Sequence, residues 1–565
     1  MARIKEWVDH LTGKTTTYEG GTGYKISFPE TVAEFFSLGL LNGMFYQTQE
    51  EVMQSATEIF TRALSECPEF ATKAAIYGHT KNSLKLVPVI WLSYLSTLED
   101  KSLFTKSFPR IVTNLNLLHD FMEICRKTPV RKGLGRSIKR AVNNQLFKLL
   151  NDYSVCRNKT TILELARVAR PAFKQEHFQN YMRYVSRDEL SFERARELKQ
   201  ALENIKQNKI DDDVLGAVEK YSFQLEELKH SINNFPASSK EKLHMLSQEL
   251  IAEKDLEKVA LLQQEIMELK QKEAGVLNNV DRQALYAILY KGLRYAALIL
   301  NLVALERVFA VESRLVKKRR PTGGLFTQEE VLQSAVPPEI EAMVCTKIQS
   351  ISDYRASNML PFALINAQRM VTNKAFKKAL GDILNTCAKE TFNIPPETEI
   401  LIGIDTSGSM SVSINDSLNA IDIATFFGAL VKLAHPAASV CTIANTCTPV
   451  SFKSENLFDM AGEICKQASG GTYLETLMNE YAGQKYILLI TDSVAADDLA
   501  SKWLMAKKPA SAKLIVWQLQ AYQTHISNNP AVIYLAGFSN RLLSLIKAII
   551  EDTGTQMAEI EKIKL

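Results

Sequence analysis

The sequence lacks the features that mark secreted, membrane-spanning and zinc-binding proteins. Its 565 residues include only eight cysteines, and no two of them form a C-x-x-C pair. This spacing argues against a zinc ribbon and for reduced thiols. The N-terminus begins no apolar core of signal-peptide length, and the longest apolar stretch, Tyr295 to Leu305, is too short to span a bilayer. We therefore expect a cytoplasmic protein with no membrane partner.

Motifs of the common enzyme classes are also missing, and the net charge is small. The sequence contains no G-x-S-x-G elbow and no H-E-x-x-H pair, so we predict that the protein is not an enzyme. With 67 Lys and Arg against 63 Asp and Glu, the formal net charge is only +4. Any polyanion would have to bind a local basic patch, because the bulk charge is too low to attract it.

The first part of the chain, to about Pro171, shows apolar residues at helical spacing and almost no alternation of period two. Successive helices with short connectors predict antiparallel pairs stacked as in a helical solenoid. The predicted helices include Glu50 to Leu64, Thr72 to Tyr77, Leu86 to Leu98, Ile111 to Cys125 and Ser137 to Leu150.

The charge content and the helical pattern of the sequence change at two places further along the chain. Residues 187–279 are rich in charge and predict long helices, such as Glu193 to Lys206 and Asp255 to Glu273, which we interpret as a solvated helical hairpin. A basic, turn-rich segment at Lys317 to Gly324 interrupts the helical pattern, which resumes at Glu339. We expect one helical domain over residues 1–390 and a second domain over 396–565, where strands and helices alternate.

Polar oxygen ligands follow predicted strands of the second domain. One group comes directly after the apolar run that begins at Ile400, one lies in a Gly-Gly-Thr loop, and one ends the run Tyr486 to Thr491. Open α/β sheets bind ligands at these strand ends, and oxygen donors without His or Cys suit Mg²⁺ or Mn²⁺ better than Zn²⁺. Alternatively, the turn caps a helix and the aspartates hold loops together. The candidate metal ligands are Asp405, Ser407, Ser409, Thr472 and Asp492.

The loop Asp405 to Ser409, the Gly-Gly-Thr loop and the strand that ends before Asp492 resemble a von Willebrand factor A domain with its metal-ion-dependent adhesion site. The helical half resembles the TROVE module of the Ro autoantigen family. The matching segments are Glu19 to Tyr24, Gly135 to Ala141, Arg157 and Asn158, Leu163 to Arg167, Arg170 and Pro171, Ala296 to Leu302, and Leu360 to Phe362 with Ala367.

These resemblances imply a fold and a function. The fold would be α plus α/β, with a ring of HEAT-like helical repeats followed by a Rossmann-like von Willebrand factor A domain. The function would be binding of small structured non-coding RNA, like Y RNA, and of single-stranded ends of misfolded RNA, within a ribonucleoprotein of RNA quality control. No DNA partner is expected, and an exoribonuclease or another protein would be a second partner at the metal site.

Basic residues that match the family's pattern or cluster around it are the candidate RNA-binding residues. Such side chains contact phosphates, which sets affinity and its salt dependence without reading sequence. A solvated basic face is the alternative interpretation. The candidates are Arg136, Lys139, Arg140, Arg157 and Arg170.

Two other classes of function compete with RNA binding. A metal-dependent scaffold could hold other proteins on its helical half, as α-solenoids often do, and bind no RNA. A divalent-metal hydrolase is the third class, but Ser407 and Ser409 have no histidine placed by motif to act as a base. We therefore rank the hydrolase last.

Overall fold

The structure is a computed structural model that describes residues 14–16, 22–39, 41, 47–130, 133–206, 212–221, 287–319, 326–334, 336–357, 359, 361–415, 418–466, 470–492, 498–520, 524–537 and 541–565.

The helices of the first half begin and end where local sequence signals place them. Capping boxes start two early helices, at Ser27 with Glu30 and at Thr48 with Glu51. Gly39, with φ of +65°, ends the first of them in the left-handed conformation that glycine adopts readily.

Among the described residues up to 220, the elements are two short strands and twelve helices. They are β1 (Lys14–Thr16), β2 (Thr22–Lys25), α1 (Phe28–Leu38), α2 (Gln49–Glu66), α3 (Pro68–Lys81), α4 (Leu86–Leu95), α5 (Ser102–Ile111), α6 (Leu115–Lys127), α7 (Arg136–Leu149), α8 (Asp152–Arg157), α9 (Lys159–Ala169), α10 (Glu176–Arg187), α11 (Glu193–Lys206) and α12 (Asp212–Lys220). The all-α expectation holds for this half apart from the β1–β2 hairpin.

Most predicted helices appear with small shifts of their ends, but one is divided. The periodic pattern from Ile111 to Cys125 joins the last residue of α5 to α6. The structure separates them, because the Asn114 side chain accepts a hydrogen bond from the Leu117 N–H (3.0 Å) and starts a new helix. The predicted helix Glu193 to Lys206 is present as α11, whereas Asp255 to Glu273 lies outside the described residues.

Aromatic side chains hold the first helices together. Phe36, Phe60 and Trp91 are almost completely buried, and their ring centroids lie 5.7 to 6.3 Å apart across α1, α2 and α4. The Trp91 indole N–H donates to the Thr72 hydroxyl (3.1 Å), so the one polar atom of this side chain is satisfied. Each large side chain buried in this way contributes about 1.5–3 kcal/mol to stability.

The middle of the chain returns to helices after a hairpin that the sequence analysis missed. The elements are α13 (Tyr295–Leu300), α14 (Leu302–Val308), β3 (Ala310–Arg319), β4 (Phe326–Ser334), α15 (Pro338–Ile348), α16 (Ile351–Ser357), α17 (Pro361–Met370) and α18 (Lys374–Thr391). Strands β3 and β4 pair antiparallel, and the basic residues Lys317 to Arg319 end β3. Three residues of the predicted turn-rich segment therefore lie in a strand, and residues 320–324 lie outside the described residues.

A six-stranded sheet follows, in the order β13-β11-β10-β5-β8-β9, with only the edge strand β9 antiparallel. Strands β5 and β10 are buried along their whole length, as expected for apolar runs with helices on both faces. The elements are β5 (Ile400–Asp405), β6 (Ser413–Asn415), β7 (Leu418–Asn419), α19 (Ala420–Ala434), β8 (Ser439–Ile443), β9 (Cys447–Pro449), α20 (Leu457–Cys465), β10 (Tyr486–Thr491), α21 (Leu499–Met505), β11 (Lys513–Gln518), β12 (Thr524–His525), β13 (Val532–Ala536), α22 (Arg541–Ile550) and α23 (Gln556–Glu561).

The sheet domain contacts both ends of the helical series. Helix α18 packs against α19, and at the other end α1 and α3 pack against α23. Strand β12 pairs with β2, and the buried Gln556 amide donates to the Ser37 hydroxyl (3.0 Å). Within the series, Lys291 bridges to Glu219 of α12 (3.0 Å). The described helices and the sheet therefore form a closed circuit, as expected for a helical ring completed by an α/β domain.

Among the helices that the structure describes, none combines the length and the apolar character that a membrane crossing requires.

The close approach of α1 and α3 gives a first prediction, because no side chain fits between them at Gly78. A Cβ atom there would lie 2.1 Å from the Phe36 carbonyl oxygen, a backbone atom that cannot move without displacing α1. We expect Gly78→Ala to destabilise the protein by about 1–3 kcal/mol through overpacking. Thermal unfolding followed by circular dichroism would show this as a lower melting temperature.

Gly216→Ala is the matched control. Gly216 lies in the exposed part of α12, and a Cβ atom there would meet nothing within 4 Å. This substitution should leave the melting temperature unchanged or raise it, since alanine stabilises a helix interior by about 1 kcal/mol relative to glycine. Equal melting temperatures for Gly78→Ala and the parent protein would contradict the packing argument.

Candidate functional site

The five candidate metal ligands lie in three neighbouring loops at the carboxyl ends of β5 and β10. Asp405 is the last residue of β5, and Thr491, the last residue of β10, precedes Asp492. The two strands pair in parallel with Ile404 opposite Ile490, which brings their ends side by side. All five candidates are at most 3 % exposed, although they are polar.

Hydrogen bonds connect these loops. One Asp405 carboxylate oxygen accepts from the Ser407 N–H (2.9 Å), and the other accepts from the Thr491 hydroxyl (2.6 Å). The hydroxyls of Ser407 and Ser409 are 3.2 Å apart. The Asp405 carboxylate is thus fixed between the first loop and β10, a pre-organised arrangement of the kind that binding sites require.

The Gly-Gly-Thr loop is attached to the first loop through backbone atoms. The Gly408 N–H donates to the Gly470 carbonyl (3.1 Å), two residues before Thr472. Gly470 has φ of +109°, and a Cβ atom there would lie 2.5 Å from the Asn445 amide nitrogen. Only glycine fits this position without displacing Asn445, whose side-chain oxygen accepts from the Gly471 N–H (2.8 Å).

This set of donors fits a hard divalent cation. It offers two carboxylates and three hydroxyls, all oxygen ligands of the type that Mg²⁺ and Mn²⁺ prefer. Within the described ranges, no group of three or more His, Cys, Asp or Glu side chains could hold a metal ion. A cation here would therefore depend on the hydroxyls of Ser407, Ser409 and Thr472 in addition to the carboxylates.

A cleft of about 890 Å³ lies beside the first loop. Thr406, Ser407 and Gly408 line it together with residues of α17. Phe426 and Phe458 contribute apolar lining. A cation held by Ser407 would therefore be reached from a cleft with apolar and polar lining.

Charged residues at this cleft were not singled out from the sequence. Arg369 of α17 donates to Asp422 at the start of α19 (2.8 Å), which ties the helical domain to the sheet domain beside the loop. Burial raises the pKa of the nearby Cys465 thiol, so this group is neutral at pH 7. Arg369 and Asp422 are 53 residues apart, and no local sequence signal connects them.

The candidate RNA-binding residues lie on α7 and α8 and directly after α9. Arg136 and Arg140 are exposed and Lys139 is half-buried on α7, while Ile138, Val142 and Leu146 of the same helix face the core. Arg157 is the exposed last residue of α8, and the exposed Arg170 follows α9. The structure thus places four of the five side chains on the solvent-exposed surface of three consecutive helices.

This surface has an excess of positive charge. Residues 133–170 contain eight Lys and Arg but only two Asp and Glu. Both acidic groups are engaged, because Asp152 accepts from the Tyr181 hydroxyl (2.6 Å) and Glu164 contacts His119 (2.7 Å). Among the described residues, no salt bridge involves any of the five candidates. Their charges are therefore available to an external anion.

Lys159 differs from the five candidates, because its charge is paired within the protein. This residue lies between the candidates Arg157 and Arg170, yet its ammonium group donates to Asp188 (2.7 Å) and lies 3.9 Å from the centre of the Tyr184 ring. The hydrogen bond from Lys159 lowers the pKa of the Asp188 carboxyl. The Lys159 charge is thus neutralised within the protein, and we do not add it to the candidate set.

Arg170 adopts an unusual backbone conformation. It caps α9 with φ of +48° and ψ of 58°, a left-handed geometry in which glycine is the common residue. An arginine in this region costs of order 1 kcal/mol or more relative to glycine. A strained residue with an exposed, unpaired cation is more typical of a binding site than of a structural helix end.

Comparisons with known proteins give one result in structure and none in sequence. No family model matches the chain, and no curated protein matches it. Among solved structures, the Ro (RSR) protein of Deinococcus radiodurans matches with a TM-score of 0.55 and 13 % sequence identity, over 94 % of this chain and 100 % of the other. The chain has a Ro-like fold. Because the match spans both the helices and the sheet domain, the order of a helical ring and an α/β domain is shared with Ro.

Proposed function

We propose that this Ro-like chain is an RNA-binding protein. Its basic surface, formed by Arg136, Lys139, Arg140, Arg157 and Arg170, would bind the phosphates of a small structured non-coding RNA and of single-stranded RNA ends. The unpaired charge of this surface is the observation that carries the proposal. The role would be that of a ribonucleoprotein component in RNA quality control, and no catalytic step is proposed.

The hydrogen-bond donors of the surface favour binding of phosphates over recognition of bases. Arginine side chains on consecutive helices present several N–H donors to solvent. One guanidinium group can bind two oxygens of a phosphate at the same time. Contacts of this type give affinity that depends on salt and little on sequence. RNA structure, and not base identity, would then select the partner.

We further propose that Asp405, Ser407, Ser409, Thr472 and Asp492 hold a Mg²⁺ or Mn²⁺ ion. The ion would supply a positive charge with a coordination position open to an acidic ligand. The oxygen-only donor set and its burial support this assignment. Hydrogen bonds from Ser407 and Thr491 would keep the Asp405 carboxylate oriented whether or not the ion is bound.

A second candidate function is metal-dependent binding of a protein partner, either beside RNA or in place of it. The cleft next to the first loop favours this candidate, because its apolar lining at Phe426 and Phe458 suits an apolar side chain next to an acidic one. An exoribonuclease or another protein would be such a partner. The scaffold without RNA differs from the leading proposal in one respect: it predicts no salt-dependent RNA binding.

The basic surface is tested by reversing two of its charges. Arg136→Glu with Lys139→Glu should weaken binding of a hairpin RNA with a single-stranded tail roughly tenfold or more at about 0.1 M salt. The slope of log affinity against log salt should also become shallower by about 1.4 to 1.8, since two phosphate contacts are lost. Fluorescence anisotropy titrations over about 50–200 mM salt would measure both quantities.

Lys374→Glu with Lys378→Glu is the control for this test. Both lysines are exposed on α18, neither forms a salt bridge among the described residues, and the change in net charge is identical. The control should bind RNA like the parent protein. Equal losses in both variants would show that bulk charge governs binding, and no RNA binding by the parent would favour the scaffold.

The metal site is tested through stability. A ligand that binds only the native state stabilises it by about 2.7 kcal/mol at a concentration a hundredfold above its Kd. We expect Mg²⁺ to raise the melting temperature of the parent relative to EDTA, and Asp405→Ala to abolish this difference. Differential scanning calorimetry of each variant with Mg²⁺ and with EDTA would measure it.

Two further variants make the metal test specific. Ser409→Ala removes a hydroxyl donor and keeps the carboxylates, so it should reduce the Mg²⁺-dependent shift even if Asp405→Ala folds poorly. Asp353→Ala removes an exposed carboxylate of α16, outside the three loops, and should retain the full shift. A parent protein that melts at the same temperature with Mg²⁺ and with EDTA would refute the metal assignment.

A further inference from the structure

Two arginines from distant parts of the chain meet at one tyrosine ring. Arg157, at the end of α8, donates through Nη1 to the Tyr153 hydroxyl (2.6 Å), and its Cζ atom lies 5.9 Å from the ring centre. Arg294, directly before α13, places its Cζ atom 4.4 Å from the centre of the same ring. Both guanidinium groups therefore lie against the same ring, so their Cζ atoms are at most about 10 Å apart, although 137 positions separate the residues in sequence.

The arrangement is unusual because two like charges contact one ring, and no described carboxylate forms a salt bridge with either of them. Both arginines are exposed, and neither forms a salt bridge among the described residues. The nearest acidic residue in sequence, Asp152, accepts from the Tyr181 hydroxyl instead. Two cations near the same ring repel each other, and an anion bound between them would relieve this repulsion.

The backbone holds both arginines in place. Leu293 and Tyr295 on either side of Arg294 are buried, and the Tyr295 hydroxyl donates to the Ile348 carbonyl (2.9 Å). Val155 and Cys156 are likewise buried next to Arg157. The arginine side chains extend to solvent from these buried neighbours, so the backbone needs little ordering when a ligand binds.

The donors that remain suit a phosphate group. An arginine has five N–H donors, of which Arg157 uses one for Tyr153, while the contact of Arg294 with the ring uses its charge and no hydrogen bond. Arg294 lies over a face of the ring, so Tyr153 acts as a positioning residue and not as a stacking platform for a base.

We propose that Arg157 and Arg294, spaced by Tyr153, clamp one phosphate group of an RNA strand. This inference rests on the proposed RNA binding and adds Arg294, which follows the long charged segment, to the RNA-binding surface. It also joins the basic surface of α7 to α9 to the second part of the helical series. The RNA would then contact helices that come before and after residues 222–286.

The clamp is tested with a double-mutant cycle of Arg157→Ala and Arg294→Ala. Each single change should weaken binding of a tailed hairpin RNA several-fold and make the salt slope shallower by about 0.7 to 0.9, the value for one phosphate. If both side chains bind the same phosphate, the double variant should lose much less than the product of the two single losses. Independent, multiplicative losses would overturn the shared clamp.

Two more variants separate the role of the ring from that of the charges. Tyr153→Phe keeps the ring under Arg294 but removes the hydroxyl that holds Arg157, so it should weaken binding less than Arg157→Ala does. Lys378→Ala removes one exposed positive charge from α18 and should bind like the parent. Circular dichroism of each variant would confirm that the fold is retained.

The outcomes also distinguish this inference from the proposed function. If Arg294→Ala binds RNA with the affinity and salt slope of the parent, while the double reversal at Arg136 and Lys139 weakens binding, the clamp is refuted and RNA binding stands. If the parent binds no RNA, the proposed function is refuted and the clamp with it.

Discussion

The contact between the first helix and the last domain is the constraint on which the rest of the structure depends. Ser37 of α1 and Gln556 of α23 are 519 positions apart, yet they share a buried hydrogen bond. The Gln556 amide also bonds both the N–H (2.9 Å) and the carbonyl (2.8 Å) of Ala536, so its polar atoms are satisfied. Buried polar contacts of this kind are costly when broken, and they fix one way of joining the two ends.

Glu34 and His525 add a second polar contact between the first helix and the last domain. Both side chains are buried, the His525 ring nitrogen contacts the Glu34 carboxylate, and the imidazole stacks on the Tyr534 ring at 3.4 Å. Burial raises the pKa of Tyr534, which remains neutral and bonds to Ser527. Removal of either Glu34 or His525 would leave the other polar side chain buried without its partner, which is destabilising. We therefore expect the contact between the first helix and the sheet domain to form as a whole.

Local signals in the sequence predicted much of the fold. The helical periodicity of the first half and the apolar runs of β5 and β10 reflect contacts between near neighbours, whereas the cap at Asn114 divides the predicted helix Ile111 to Cys125. The pairing of β3 with β4 was not predicted, because the segment Lys317 to Gly324 was interpreted as basic and turn-rich, although Val and Leu residues precede it. Strand pairing depends on a distant partner, which a periodicity argument does not contain.

The candidate sites likewise include residues that a short motif identifies and residues that depend on contacts between distant positions of the chain. Asp405, Ser407 and Ser409 lie in one short loop, and a motif is enough to find them. Arg294 came from the structure alone, because its partner Tyr153 is more than a hundred positions away. The cleft beside the first loop also required the structure, since α17 and α19 form it from different domains.

The end of β8 and the turn that follows it connect the candidate metal loops to each other. The Ile443 carbonyl accepts from the Thr406 N–H, the Ala444 carbonyl accepts from the Tyr473 N–H, and the Asn445 side chain accepts from the Gly471 N–H. Three consecutive residues that are not themselves candidate ligands therefore set the spacing of both loops. A substitution at one of these three positions would move the two loops relative to each other while every candidate ligand stayed the same.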